Sequence, residues 1–183
     1  MRVISGTARG RSLLFPNKSR SRPTADRIKE AFFNILSPLD GTTFLDVFAG
    51  SGSVGIEALS RSAAFVAFIE QDSAHCDYIK NNLFRCGFTD NYQIVNMEAK
   101  RAIPVLQKSG APFDIIFADP PYEVGLVEET LDQLTDGTLL ITSGVIIFQH
   151  SLREEPDWEQ RRGIKVFDQR KYGDTLLTFL TIT

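Results

Sequence analysis

The 183-residue sequence has few of the side chains that build metal centres and disulfide frameworks, with only two cysteines and two histidines. Cys76 and Cys86 fall in one apparent helix, where they do not easily meet, and their spacing fits no metal site. Two isolated thiols are typical of a reducing compartment. His75 is expected on a helix surface and His150 just after a strand, both without a chemical role. We therefore expect no metal.

Long apolar runs are also missing. No run approaches the ~20 residues that a membrane-spanning helix needs. Residues 1–16 lack the continuous apolar core of a signal peptide. The composition, 43% hydrophobic and 23% charged, is that of a globular domain. These features argue against membrane and disulfide-rich secreted proteins, and we expect a cytoplasmic monomer that contacts no membrane.

Negative charge is in slight excess, but it is distributed unevenly. The net charge is −3, whereas residues 1–30 carry eight basic and two acidic side chains, which leaves +6 there and −9 elsewhere. The basic residues are Arg2, Arg9, Arg11, Lys18, Arg20, Arg22, Arg27 and Lys29. A basic segment on an acidic body is a candidate phosphate-binding arm, and equally a solvated tail.

From Thr43 onward, apolar strands alternate with amphipathic helices. The predicted strands are 44–48, 64–69, 93–95, 113–118 and 145–148, and the predicted helices are 54–62, 73–86, 99–107 (with a kink or late start at Pro104) and 124–134. Two β-rich runs around Tyr172-Gly173-Asp174 predict a final hairpin. Of 139–141 and 145–148, which flank Gly144, we take only the second as a strand. Repeated βα units indicate an α/β fold with a mostly parallel sheet and an antiparallel end.

A short extension precedes this pattern. Arg2–Ile4 and Ser12–Phe15 predict a β-hairpin, and a polar loop covers residues 17–22. Thr24 is a candidate N-cap for the amphipathic helix that follows. We place the boundary between this extension, residues 1–40, and the main domain, residues 41–183.

Two predicted strand ends indicate a nucleoside ligand. The first strand runs into Gly50-Ser51-Gly52-Ser53-Val54-Gly55, which has the spacing G-x-G-x-x-G. Glu70 ends the next strand, where an acidic side chain can accept both hydroxyl protons of a ribose. The two features together leave NAD and S-adenosylmethionine (SAM) equally open. Gly55 is expected to pack the following helix against the sheet rather than to touch a pyrophosphate.

A third strand end favours methyl transfer. The strand 113–118 ends in Asp119-Pro120-Pro121-Tyr122, in which the prolines remove two backbone donors. The Asp119 carboxylate and the Pro120 carbonyl remain as acceptors, which suits a substrate –NH₂ group. Tyr122 offers a flat face on which a base can stack. Hydride transfer needs no such arrangement, and no catalytic His or Tyr-Lys pattern is found.

Five segments taken in order resemble the RsmD family of bacterial SAM-dependent amino-methyltransferases. They are RVISGTARGRSLLFP, RPTADRIKEAFFNIL, DVFAGSGSVGIEALSR, FIEQD and FADPPYEVG, so the resemblance covers nearly the whole chain. It implies a Rossmann-like class I methyltransferase with a seven-stranded sheet, SAM as cofactor, and N2 of one guanine in 16S ribosomal RNA as the target. The implied partner is 16S rRNA within a 30S assembly intermediate, with residues 1–40 contacting RNA and closing over SAM.

The resemblance also assigns roles by position. The residues expected to bind SAM are Arg22, Pro23, Thr24, Asp46, Phe48, Ala49, Gly50, Ser51, Gly52, Glu70, Gln71, Glu98 and Ala99. Those expected to hold the target base are Asp119, Pro120, Pro121 and Tyr122, and those expected to contact RNA are Arg9, Arg11, Arg20 and Arg22. Gln149 stands where the family frequently has an acid, which argues against a charge-based role at that strand end.

Two alternative functions follow from the same residues. A DNA adenine-N6 methyltransferase uses the same acceptor motif, but such enzymes usually carry a separate target-recognition domain. Every segment after Asp119 is needed here to finish the sheet, which leaves no room for one. A noncatalytic RNA-binding assembly factor is the other alternative, and such a protein has no use for an intact Asp119–Tyr122 motif.

Overall fold

A computed structural model describes residues 1–16, 26–135, 138–154, 156–158, 161 and 163–182 of the chain. The candidate N-cap Thr24 and the polar loop 17–22 lie outside these residues. None of the described helices is long and apolar enough to cross a membrane.

One sheet of seven strands forms the centre of the molecule. The strands are β1 (Thr43–Val47), β2 (Phe65–Glu70), β3 (Tyr92–Asn96), β4 (Phe113–Ala118), β5 (Leu140–Ser151), β6 (Ile164–Tyr172) and β7 (Thr175–Ile182). Their order is β3-β2-β1-β4-β5-β7-β6. The pairs from β3 to β5 are parallel, and β7 pairs antiparallel with both β5 and β6. The predicted α/β sheet with its C-terminal hairpin is confirmed.

Five helices in the described part of the chain cover the two faces of this sheet. They are α1 (Asp26–Leu36), α2 (Ser53–Ser60), α3 (Ser73–Cys86), α4 (Ala99–Ser109) and α5 (Leu126–Thr135). Buried side chains of α1, α2 and α3 share one core with Phe44 and Phe117, and those of α4 and α5 share the other with Leu45 and Ile116. Alternate residues of each strand therefore point into different cores, as strand geometry requires.

The predicted N-terminal hairpin is present but short: Arg2 pairs with Ser12, and three backbone hydrogen bonds join residues 1–3 to residues 10–13. The backbone N–H groups of Ile4 and Ser5 donate to the two carboxylate oxygens of Glu57, at 2.8 and 2.9 Å. A buried carboxylate thus satisfies backbone donors that a longer hairpin would have paired. The hairpin does not extend to Ile4, whose N–H donates to this long-range partner, and the sequence carries no local signal for that contact.

Glu57 lies in a buried charge cluster that also fixes α1. The Nζ atom of Lys29 is 3.5 Å from Glu57 Oε2, and both side chains are fully buried. Lys29 also donates to the carbonyl of Arg2 at 3.0 Å. Burial lowers the pKa of Lys29, and the charge of Glu57 opposes this shift. On its other oxygen, Glu57 accepts from Arg61 Nε at 2.8 Å. The N-terminal segment and α1 are therefore attached to α2 through the buried charges of Lys29 and Glu57 and their backbone hydrogen bonds.

Strand β5 is longer than predicted because it continues through Gly144. A Cβ atom at this position would lie 2.6 Å from Leu140 Cγ and 2.9 Å from the carbonyl oxygen of Asp114. Glycine therefore permits a close approach between β5 and β4, where the register shifts between Phe113 and Ile115. The glycine that suggested a break instead marks a tight contact within one strand.

Helix α4 continues through Pro104 without the predicted late start. Proline has no N–H to donate to the carbonyl of Lys100, four residues earlier. That carbonyl accepts a hydrogen bond from Gln133 Nε2 of α5 at 3.2 Å. A neighbouring helix thus supplies a donor where the helix itself cannot.

His150 lies inside β5 and is buried, so its expected position after a strand was wrong. Its Nε2 atom is 2.8 Å from Thr178 Oγ1, and its Nδ1 atom is 3.1 Å from the carbonyl oxygen of Ser151. Gln169 Nε2 donates to the same Thr178 hydroxyl, at 2.9 Å. The hydroxyl proton therefore points to Nε2 and the ring proton sits on Nδ1. Burial lowers the pKa of His150, which favours this neutral form.

Candidate active site

The predicted site residues come from the carboxyl ends of parallel strands, which meet at one edge of the sheet. Asp46 of β1 pairs in register with Phe117 of β4, and Asp119 follows two residues later. Asp46 and Asp119 therefore lie on the same face of the sheet. The backbone N–H of Asp119 lies 3.4 Å from the carbonyl oxygen of Val47, so the chain still follows β1 at this point.

The turn after β1 begins one residue earlier than predicted. The strand ends at Val47, because Phe48 adopts a φ of 64° that strand pairing does not allow. Gly50 and Gly52 also have positive φ values, 55° and 78°. A Cβ atom on Gly50 would meet no atom of the described residues within 4 Å, so these residues leave one side of the turn open. The turn therefore presents its backbone to a ligand at short range.

Glu70 binds this turn directly. One carboxylate oxygen accepts from the N–H of Gly50 and the other from the N–H of Asp72, both at 2.8 Å. His75 Nδ1 lies 3.7 Å from the second oxygen. The His75 ring is half-buried and faces Glu70, whereas the sequence predicts a residue of the helix surface. Each carboxylate oxygen still has a second lone pair, which leaves acceptor capacity for hydroxyl groups of a ligand.

Asp46 supports the turn from the core side. It is buried, and its Oδ2 atom accepts from the N–H of Gly55 at 2.8 Å. Burial raises the pKa of Asp46 to about 7, and the negative charge of Glu70 adds to the rise. A Cβ atom on Gly55 would lie 2.3 Å from Phe68 Cε1. This confirms that Gly55 packs α2 against the sheet.

A groove runs beside the turn and joins several of the predicted residues. Phe48, Gln71, Glu98, Ala99 and Pro121 line it, as does a second set that the sequence did not single out. The second set consists of Lys100, Leu126, Glu129, Thr130 and Gln133. Four of these belong to α5, which follows the acceptor motif in the chain. The amphipathic pattern of α5 predicted a helix but not which polar side chains would border the groove.

Glu98 lies at the rim of the groove, just before α4. Its side chain makes no capping hydrogen bond. Instead, its Oε1 atom lies 3.0 Å from Lys100 Nζ. The hydrogen bond and charge of Glu98 raise the pKa of Lys100. Both side chains are about half exposed, so this pair contributes little stability.

The acceptor motif forms a lip at the end of β4. Asp119 is half-buried, Pro120 is buried and Pro121 is exposed. Tyr122 is 37% exposed, and its hydroxyl oxygen accepts from Gln149 Nε2 at 3.2 Å. Burial raises the pKa of Tyr122, and the charge of Asp119 raises it further.

The chain after the lip is tied to the end of β5. The N–H of Glu123 donates to Glu154 Oε1 at 2.9 Å, and the Ser151 hydroxyl donates to Glu123 Oε1 at 3.0 Å. Glu123 and Gly125 have positive φ values, 60° and 79°. Helix α5 therefore begins later than the predicted Val124.

Asn82 connects the N-terminal segment to the turn, which the sequence did not predict. Its Nδ2 atom donates to the carbonyls of Leu14 and Ser51, at 2.8 and 3.0 Å, and its Oδ1 atom accepts from the N–H of Leu14 at 2.7 Å. Arg9 and Arg11 are exposed on that segment. Four predicted residues lie outside the described part of the chain: Arg20, Arg22, Pro23 and Thr24.

The chain is similar to known proteins over nearly its whole length. The family model described as "Conserved hypothetical protein 95" matches residues 1–181. Ribosomal RNA small subunit methyltransferase D of Escherichia coli K12 is 41% identical over 80% of this chain and 72% of its own. The enzyme of that name from Haemophilus influenzae is 36% identical over 85% and 81%. A hypothetical protein of Thermus thermophilus has a solved structure with a TM-score of 0.84 and 28% identity, covering 100% of this chain and 99% of its own.

Proposed function

The chain belongs to the conserved hypothetical protein 95 family, which is the RsmD family, and from this membership we propose that it is a SAM-dependent ribosomal RNA methyltransferase. The proposed target is the exocyclic N2 amine of one guanine in the 16S rRNA of an assembling small subunit. The observation that carries the proposal is the position of the Asp119–Tyr122 lip at the strand ends beside the Gly50–Glu70 unit. A methyl donor and the amine that accepts the methyl group can thus be held at the same edge of the sheet.

The described residues fit SAM by their chemistry. The groove offers apolar surface from Phe48, Ala99, Pro121 and Leu126 for a flat adenine ring. Glu70 has acceptor capacity for two ribose hydroxyl groups, and its hydrogen bond to Gly50 keeps it at the turn. Arg22, Pro23 and Thr24 are proposed to cover the methionine end. Bound SAM supplies an electrophilic methyl group on a sulfonium sulfur.

The lip residues act on the amine that receives the methyl group. The guanine amine is a weak nucleophile because its lone pair is delocalised into the ring. Hydrogen bonds from its two N–H groups to the Asp119 carboxylate and the Pro120 carbonyl favour a pyramidal nitrogen with a free lone pair. Positive charge develops on this nitrogen during transfer, and the Asp119 carboxylate stabilises it. No strong general base is needed, because the proton leaves the nitrogen only after the C–N bond has formed, when the nitrogen is cationic and water can accept the proton.

Tyr122 and the basic segment act on the RNA around that amine. The partly exposed ring of Tyr122 offers a stacking surface, worth ~1–3 kcal/mol per base in single-stranded complexes. The target guanine must leave its stack or lie in a loop for its amino edge to reach the lip. Arg9 and Arg11, together with Arg20 and Arg22, are proposed to bind phosphates nearby.

Nucleoside analysis of a defined reaction tests the proposal. The purified protein is incubated with labelled SAM and unmodified 16S rRNA, either free or in partly assembled small subunits, and the RNA is digested for mass spectrometry. We expect N2-methylguanosine at one position, with the assembled particle as the better substrate. Asp119→Asn, which keeps the side-chain volume, is the matched control. Methylation of adenine instead, or no methylation of either substrate, would overturn the assignment.

A further inference from the structure

Gln149 is a buried amide beside the lip and has no role in the function proposed above. It is 4% exposed and lies near the carboxyl end of β5. The register of β4 and β5 pairs Ala118 with Phe148. The next residues along the two chains, Asp119 and Gln149, therefore lie side by side and on the same face of the sheet.

The Gln149 amide binds the Tyr122 hydroxyl in a defined direction. Its Nε2 atom donates to the phenol oxygen at 3.2 Å. Thr175 Oγ1 lies 3.4 Å from the same oxygen. Because the phenol oxygen accepts from Gln149, its own proton is available for Thr175. The exposed ring of Tyr122 is thus held between the end of β5 and the start of β7.

A glutamine at position 149 lowers the stability of the fold if its only role is to pack in the core. Its Oε1 atom is buried and has no hydrogen-bond partner in the described part of the chain. A buried acceptor without a partner destabilises a fold, whereas an apolar side chain of the same shape avoids that cost. The contact that accounts for a polar side chain here is the bond from its Nε2 atom to Tyr122.

We propose that Gln149 is a positioning residue for the methyl-transfer reaction, acting through the Tyr122 hydroxyl. Its amide fixes the ring plane against which the target base stacks, and Thr175 completes the support from β7. This inference rests on the proposed function, in which Tyr122 is the stacking surface. It assigns the orientation of the stacking ring partly to a residue of β5, outside the Asp119–Tyr122 motif.

A double-mutant cycle tests the pathway of this effect. Gln149→Met keeps an unbranched side chain of similar length but removes the donor, and Tyr122→Phe keeps the ring but removes its hydroxyl. We expect Gln149→Met to lower kcat/KM for RNA by about three- to tenfold, the equivalent of one neutral hydrogen bond. In the Tyr122→Phe background, the same change should lower it by less than about twofold. Additive losses, or no loss in the single variant, would overturn the inference.

A second measurement does not depend on methylation. A donor to the phenol oxygen stabilises the phenolate, so the Gln149 bond holds the Tyr122 pKa below the value that burial alone would give. Carbon-13 NMR titration of tyrosine-labelled protein, assigned with Tyr122→Phe, should show a higher Tyr122 pKa in Gln149→Met. Thr175→Val removes the other partner of the same oxygen, so it should also shift the Tyr122 pKa and is the positive control for the loss of one bond. An unchanged pKa would overturn the inference even if the wild-type protein makes N2-methylguanosine, and so separates this failure from that of the proposed function.

Discussion

The N–H of Gly50 donates a 2.8 Å hydrogen bond to Oε2 of Glu70, so the glycine turn and the acidic strand end form one bonded unit. Glu70 also accepts from the N–H of Asp72, before α3. A ligand that binds the Glu70 carboxylate therefore meets a group whose orientation is already fixed by two backbone donors. Such preorganisation reduces the entropy that binding must overcome.

Replacing Glu70 should weaken SAM binding and loosen the turn together. Glu70→Gln keeps the shape but loses the charge, and one of its two terminal atoms can no longer accept from a backbone N–H. We expect the Kd for SAM to rise by at least about tenfold, consistent with the loss of a charge-assisted hydrogen bond. Isothermal titration calorimetry measures this, with Asp114→Asn, at the opposite end of β4, as the comparison that should keep the wild-type affinity. Equal affinities for SAM in wild type and Glu70→Gln would contradict the role of Glu70.

Replacing Asp119 should lower the rate of methyl transfer and leave the affinity for SAM unchanged. Asp119→Asn retains an oxygen acceptor but removes the charge that stabilises the developing positive nitrogen. We expect the single-turnover methylation rate to fall by at least about tenfold, while the Kd for SAM stays within about twofold of wild type. Rapid-quench kinetics and calorimetry on the same preparation give the two values. A wild-type rate in this variant would remove Asp119 from the catalytic step.

The sequence predicted those parts of the site that are encoded by short runs of consecutive residues. The glycine turn, Glu70 and the Asp119–Tyr122 motif each follow a strand that apolar patterning identifies, and parallel strands bring their ends together. Tertiary partners carry no such signal. Gln133 lines the groove and also donates to the carbonyl of Lys100 in α4. Asn82 bonds the N-terminal segment to the glycine turn. In the sequence, each of them looks like an ordinary polar residue of a helix.

The incorrect predictions have a common physical cause. Gly144 is expected to interrupt a strand and Pro104 to kink or delay a helix, but the neighbours of these residues in space decide what they do. Gly144 permits close strand contact, and a donor from α5 compensates for Pro104. The N-terminal hairpin is shortened by bonds to Glu57, a residue some fifty positions away in the sequence. Local propensity cannot show such partners, because the long-range contact supplies the larger share of the stability.

Asp46 should make stability depend on pH in a direction opposite to that of a salt-bridged carboxylate. Its pKa of about 7 in the folded protein exceeds the ordinary value of 3.8, so the native state binds the extra proton between these values. Stability therefore falls as pH rises from about 4 to 7. Asp46→Asn keeps the acceptor for Gly55 and cannot ionise. Its stability relative to wild type should increase by roughly 2–3 kcal/mol between pH 5 and pH 8, from the 1.36 kcal/mol that each pKa unit is worth.

Urea unfolding at several pH values measures this difference. Other groups titrate in both proteins, so only the difference between the two stability curves reports Asp46. Asp114→Asn provides a carboxylate control on the same sheet, since Asp114 is half-buried and accepts from the N–H of Thr43. Parallel curves for wild type and Asp46→Asn across this range would show that Asp46 is ionised in the folded protein at pH 5.

Two glycines of the N-terminal segment provide a matched pair for stability. Gly6 and Gly10 have nearly the same φ, 81° and 83°, so alanine costs roughly 1–2 kcal/mol of backbone strain at each. A Cβ atom on Gly6 would lie 1.6 Å from the carbonyl oxygen of Ser60, whereas one on Gly10 would meet no atom of the described residues within 4 Å. Gly6→Ala should therefore lower the free energy of unfolding by at least about 2 kcal/mol more than Gly10→Ala. Equal losses in urea titrations would mean that the segment is not held against α2.

The exposed arginines of the same segment should make RNA affinity sensitive to salt. Each phosphate neutralised by Arg9 or Arg11 releases condensed counterions, so the slope of log K against log [salt] should become shallower by about 0.7–0.9 per arginine removed. Arg9→Gln and Arg11→Gln are compared by filter binding with Lys108→Gln, which lies at the end of α4 away from the strand ends that form the site. We expect the Lys108 variant to keep the wild-type slope. If Arg9→Gln, Arg11→Gln and wild type share one slope, the described basic segment makes no phosphate contact, and the site must bind RNA through other surfaces.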